Sequence, residues 1–130
     1  MECDFRYVSH DDLPKLKKMV YAIVEKNFVP DVTTKITDTF GFDEMERTEA
    51  TMQLLEVAKE AAKESGLPVP GPKLCGGGSD AAYTVQAGVA TLCSIGVEGA
   101  RNHTVEEWAD VESLFTRTKL MIAILLKVTK

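Results

Sequence analysis

Residues 73–93, KLCGGGSDAAYTVQAGVATLC, hold a short apolar run, three consecutive glycines, a helix-forming stretch and a second apolar run that starts behind Gly88. Glycine opens backbone conformations closed to other residues and lets neighbouring groups come close. The stretch therefore reads as a strand over 73–75, a glycine turn, a helix over about 79–87 and a strand over 90–93 bounded by Gly88 and Gly96. Such alternation predicts an α/β fold in which helices cover a largely parallel sheet.

The same alternation extends toward the N-terminus. In ECDFRYV (2–8), Cys3, Phe5 and Tyr7 fall on one side and Asp4 and Arg6 on the other, the pattern of a half-buried strand. Ser9, Asp11 and Asp12 then offer capping groups, Pro14 suits a first turn, and Leu13, Leu16, Val20, Ile23 and Val24 recur at helical spacing as far as about Asn27. Beyond Pro30 and Asp31, residues 32–37 alternate again, so 2–40 reads as one β-α-β unit. A second helix is expected over about 48–65, with an alanine-rich stripe suited to close packing on a sheet and a stop at Gly66 followed by Pro68 and Pro70. Leu114, Ile122, Leu125 and Leu126 mark a long final helix. The break at residues 40–46 is the natural domain boundary.

Composition limits what such a chain does. Its 130 residues suffice for a hydrophobic core. A formal charge of −5 argues against nucleic acid or an anionic membrane as the main partner, since both call for concentrated Lys and Arg. Three scattered cysteines, Cys3, Cys75 and Cys93, fit reduced thiols better than a disulfide framework. The opening residues do not have the pattern of a signal peptide, and no apolar run is long enough to cross a bilayer, so a cytoplasmic protein is expected. A first strand with almost no lead-in also suggests a piece of something longer.

Two features invite chemistry. The glycine turn ahead of Ser79 and Asp80 is either a plain strand-to-helix connection or a cradle for a small anion at a helix start. It lacks the spacing of either nucleotide-binding glycine motif. His103 follows the loop GVEGARN and precedes Thr104, which with Glu107 spells a capping box. It is either a loop residue or a ligand, and a metal site needs further ligands beside it.

Taken together, GGGSDAAYTVQAGVATL, the glycine loop, HTVEEWADVESL and the upstream CDFRY resemble the zinc-dependent aminoacylase and carboxypeptidase family of metallopeptidases. Glutamate carboxypeptidases, acetylornithine deacetylase and succinyl-diaminopimelate desuccinylase belong to it. The resemblance is to the C-terminal third. It implies a partial lid or dimerisation domain (1–43, β-α-β) followed by the C-terminal part of a catalytic domain (44–130). His103 matches a metal-binding histidine, Gly77, Gly78 and Ser79 match backbone lining the substrate cleft, and Arg6 matches a lid arginine that meets a substrate carboxylate.

The resemblance further implies two zinc ions in a full-length enzyme that cleaves a peptide or an N-acyl amino-acid amide bond, and pairing of lids into a homodimer. The family's H-x-D motif, bridging Asp and Glu-Glu pair are upstream in its members and are expected to have no counterpart here. The chain is thus expected to hold no catalytic residue and, alone, to be inactive. Phe40 and Phe42 stand where glutamate-specific members carry an arginine, and Ala90 stands where a proline is usual. Two other functions remain open at this point: a non-catalytic assembly module on the same scaffold, and a small-anion binder at the glycine turn.

Overall fold

A computed structural model describes residues 2–26, 28–37 and 41–129. Along the chain come α1 (Asp12–Val24), α2 (Glu49–Glu64), α3 (Ala81–Gln86), β1 (Gly99–Ala100), β2 (Trp108–Ala109) and α4 (Val111–Val128). The two strands form an antiparallel pair with Gly99 opposite Ala109 and Ala100 opposite Trp108. The architecture is thus mixed helix with a small two-stranded sheet, compatible with an α/β fold.

The chain divides into two compact units. One comprises 1–46 and 76–88, the other 47–75 and 89–130. In the second unit, α2 opens on Thr48, whose hydroxyl accepts the N–H of Thr51 at 3.2 Å. It closes on Gly66, with φ at +64°, where the Leu67 N–H reaches the Ala62 carbonyl and the Gly66 N–H that of Lys63. This is the paired-bond glycine stop, and its usual apolar contact is made by Leu67, which packs on the core. Ala58, Ala61 and Ala62 of α2 meet Leu120 and Ile124 of α4, with Leu92, Ile95 and Ala123 at the margin. The alanines keep the two helices close, and burial of Leu120 and Ile124 contributes about 1.5–3 kcal/mol each.

Several expected elements are absent among the described residues. Residues 2–8, 32–37, 73–75 and 90–93 join no ladder. Their side-chain pattern suits a strand, yet a strand is stable only beside a neighbour with which to exchange hydrogen bonds. The parallel sheet and the β-α-β unit are therefore not formed among the described residues, and Asn27 and residues 38–40 lie outside them. The alanine stripe covers α4 instead of a sheet. Thr104 starts no helix, and the final helix begins at Val111, where the Asp110 carboxylate accepts the Glu112 N–H at 3.0 Å. The hairpin β1–β2 replaces the expected helix start. No helix among the described residues is long and apolar enough to cross a membrane.

Candidate functional site

Arg6 and the glycine turn come together within the first unit. Asp4 and Arg6 pair within the N-terminal segment, where the Asp4 carboxylate accepts from Arg6 Nε at 3.3 Å and Nη2 at 3.0 Å. Thus oriented, Arg6 donates from Nη1 to the Gly76 carbonyl at 2.5 Å. A guanidinium carries five N–H donors, so these bonds leave capacity for a further acceptor. The arginine remains exposed, as does the turn.

Phe42 closes on the same turn. A Cβ at Gly78 would stand 2.9 Å from Phe42 Cβ and Cγ, so only glycine permits that approach. The Phe42 ring also lies 6.5 Å, centroid to centroid, from Tyr83 of α3. The turn thus has an arginine at one end and an aromatic pair at the other. Asp4 and Tyr83 were not among the residues singled out for the site; the D-x-R spacing, which sets both side chains on one side of an extended segment, was the available signal for Asp4.

The helix behind the turn offers little to an anion. Ser79 Oγ accepts the Ala81 N–H at 3.2 Å, the Ser79 carbonyl takes Ala82 N–H, and the Asp80 carbonyl takes Tyr83 N–H. Several first-turn donors are thereby engaged by the turn itself, and α3 has only six residues.

His103 belongs to the second unit, in the loop between β1 and β2. It is exposed and has φ at +67°; Arg101, two residues earlier, has +62°. The loop is closed by Thr104, whose hydroxyl donates to the Arg101 carbonyl at 2.7 Å and accepts the Glu106 N–H at 3.2 Å. Arg101 pairs with Glu106 across it. Thr104 and Glu107 therefore form a turn and not a capping box: Glu107 offers its backbone N–H to the Thr104 carbonyl. A left-handed conformation at a non-glycine residue is strained, and such strain gathers at functional loops.

Among the described residues, no group of three His, Cys, Asp or Glu side chains is placed to hold a metal ion. The triplet His10-Asp11-Asp12 does spell H-x-D, contrary to the expectation that the letters are missing. Its side chains are engaged otherwise: His10 Nδ1 stands 3.2 Å from Glu44 Oε1, and Asp12 pairs with Lys15. Glu44 is nearly fully buried, and its Oε2 has no hydrogen-bond partner among the described residues. Burial and the carboxylates of Glu44 and Asp43 hold the Tyr7 phenol above its ordinary pKa.

A family model for peptidase family M20/M25/M40 matches residues 4–127. Carboxypeptidase G2 of Pseudomonas sp. (strain RS-16) is 25% identical over 115 residues, covering 88% of this chain and 28% of that protein. No solved structure gives a significant match. The chain thus spans little more than a quarter of the curated relative's length. With the family model covering nearly every residue from Asp4 onward, the chain belongs to peptidase family M20/M25/M40.

Proposed function

We propose that this chain is the C-terminal portion of a zinc-dependent peptidase or amidohydrolase that cleaves a peptide or N-acyl amino-acid amide bond, and that it is inactive alone. The observation that carries the reading is the family match over residues 4–127 of a chain that covers 28% of the curated relative's length. In this reading residues 1–43 are part of a lid and 44–130 part of the catalytic domain. His103 contributes one ligand to a site whose other ligands come from elsewhere. Arg6 and the backbone of Gly77, Gly78 and Ser79 receive the substrate's carboxylate. The Arg6–Gly76 bond supports that pairing of roles, because it sets a cation with donors to spare beside the turn.

Cys3, Cys75 and Cys93 are exposed and join no disulfide among the described residues, in keeping with a reducing, cytoplasmic setting. Lid pairing would make the complete enzyme a homodimer.

The test measures zinc and turnover together. The purified chain is expected to hydrolyse neither dipeptides nor N-acyl amino acids, to bind less than one zinc, and to lose that zinc in His103→Asn. Two tightly held zinc ions with turnover would overturn the fragment reading. Zinc binding unchanged in His103→Asn would remove the role assigned to His103. Asparagine is chosen because it tolerates the left-handed backbone, so loss of zinc reports the imidazole and not the loop.

A further inference from the structure

The His103 side chain has no contact of its own to aim it: its imidazole makes no hydrogen bond or ion pair among the described residues. A metal-ligating imidazole is ordinarily held through its second nitrogen by a carboxylate, a carbonyl or water. Within this chain the ring's position is therefore set by the backbone that carries it. That backbone is the loop 101–107, with φ at +62° for Arg101 and +67° for His103. The Arg101–Glu106 pair and the Thr104 hydroxyl close the loop at its neck.

The loop is in turn mounted on α4. β1 and β2 contribute two residues each, a ladder too short to be stable alone. Glu98 precedes β1 and Asp110 follows β2, and the Asp110 N–H donates to the Glu98 carbonyl at 2.8 Å. The buried Ser113 hydroxyl bridges these two ends, accepting the Glu98 N–H at 2.9 Å and donating to the Asp110 carbonyl at 2.6 Å. Four residues further along the same face of the helix, Arg117 pairs with the Glu98 carboxylate, its side chain only 23% exposed. Both ends of the hairpin are thus fastened to the first turns of α4. The lever above them is long: four residues from Gly99 to His103 reach at most about 14 Å, so a tilt of about 10° at the base displaces the tip by up to about 2 Å. Metal–ligand distances tolerate only about 0.2 Å.

We infer that Ser113 and Arg117 are positioning residues for His103: from α4 they hold the base of the hairpin β1–β2 and so set where the imidazole at its tip stands. The inference rests on the reading of His103 as a metal ligand, and it names the residues of this chain that aim that ligand.

The test uses amide residual dipolar couplings across residues 98–128 of the 130-residue chain, weakly aligned in solution. In the parent, the couplings of the hairpin and of His103 are expected to fit the same frame as those of α4. In Ser113→Ala and in Arg117→Met the α4 couplings are expected to stay, while those of 99–109 shrink about twofold as the hairpin moves on its base. The amide contacts between Gly99 and Ala109 are expected to persist. Arg117→Lys keeps a charge opposite Glu98 and is expected to restore the parent values, whereas a packing role alone would leave lysine no better than methionine. Unchanged hairpin couplings in both variants would overturn the inference. So would loss of the ladder in both, since the two side chains would then make the hairpin and not aim it. If Ser113→Ala alone loses the ladder, the couplings of Arg117→Met decide. Couplings that behave as expected beside zinc binding unchanged in His103→Asn would remove the ligand reading and leave the mount standing. Couplings that do not move, with zinc lost in His103→Asn, would keep the ligand and remove the roles given to Ser113 and Arg117.

Discussion

Gly71, Gly78 and Gly99 separate what a single added methyl group costs in three settings. At Gly71 a Cβ meets nothing within 4 Å, at Gly78 it meets Phe42 Cβ and Cγ at 2.9 Å, and at Gly99 it would run into the Trp108 carbonyl oxygen. Side-chain atoms move at some cost and hydrogen-bonded backbone moves at more. Gly71→Ala is therefore expected to change stability by less than about 0.5 kcal/mol. Gly78→Ala is expected to cost about 1–3 kcal/mol, with Gly99→Ala at or above the top of that range. Urea unfolding of the three variants checks the order, and a Gly99→Ala no worse than Gly71→Ala would contradict the close strand approach. At His103 the constraint is the backbone instead. Its φ of +67° makes a β-branched replacement costly, so His103→Val is expected to lose about 1–2 kcal/mol relative to His103→Asn in the same measurement.

Ser113 joins the hairpin β1–β2 to α4. It is buried, its hydroxyl donates to the Asp110 carbonyl at 2.6 Å, and the same oxygen accepts the Glu98 N–H at 2.9 Å. Ser113→Ala removes one partner from each of two backbone groups and is expected to cost about 1–3 kcal/mol by urea unfolding, with Trp108 fluorescence reporting the hairpin. Such an element was hard to read in advance. The helices were legible because period and punctuation agree: Leu54, Leu55 and Ala58 recur as one stripe, and Gly66 with Pro68 marks its end. The hairpin was not, because Thr104 and Glu107 have the letters of a helix start while the Thr104 hydroxyl turns back to Arg101. The usable signal was Asp110 followed by Glu112, an acceptor and an acid at a helix N-terminus. The segments 2–8 and 90–93, expected as strands, join no ladder among the described residues, since alternation within a segment carries no information about its neighbour.

For the candidate site, the molecule brings together Arg6 and the glycine turn, residues 70 apart in sequence, in one of its two units. The family resemblance singled out Arg6 and the turn separately without pairing them, and Phe42 against Gly78 was equally out of reach, because nothing in the spelling of a glycine run says which side chain will press on it. Tyr7 in the first unit and Lys127 in the second each hold a proton more tightly in the folded chain than outside it, and both contribute to the response to alkali. Burial raises the Tyr7 pKa in the first unit, helped by Glu44 and Asp43. In the second, a hydrogen bond to Glu64 raises that of Lys127, which also reaches Glu60 at 3.4 Å and so ties α4 to α2. A raised folded-state pKa contributes stability that is complete below the ordinary value and is lost as pH climbs through the folded value. The ordinary values are 10.0 for tyrosine and 10.5 for lysine, so both contributions are intact at neutral pH and disappear above about pH 10. The urea midpoint is expected to show no loss from these two groups between pH 7 and 9 and to fall from pH 10 upward. Lys127→Met should flatten part of that fall and Tyr7→Phe another part. Variants that follow the parent's profile across the alkaline limb would show that neither proton is held as the geometry indicates.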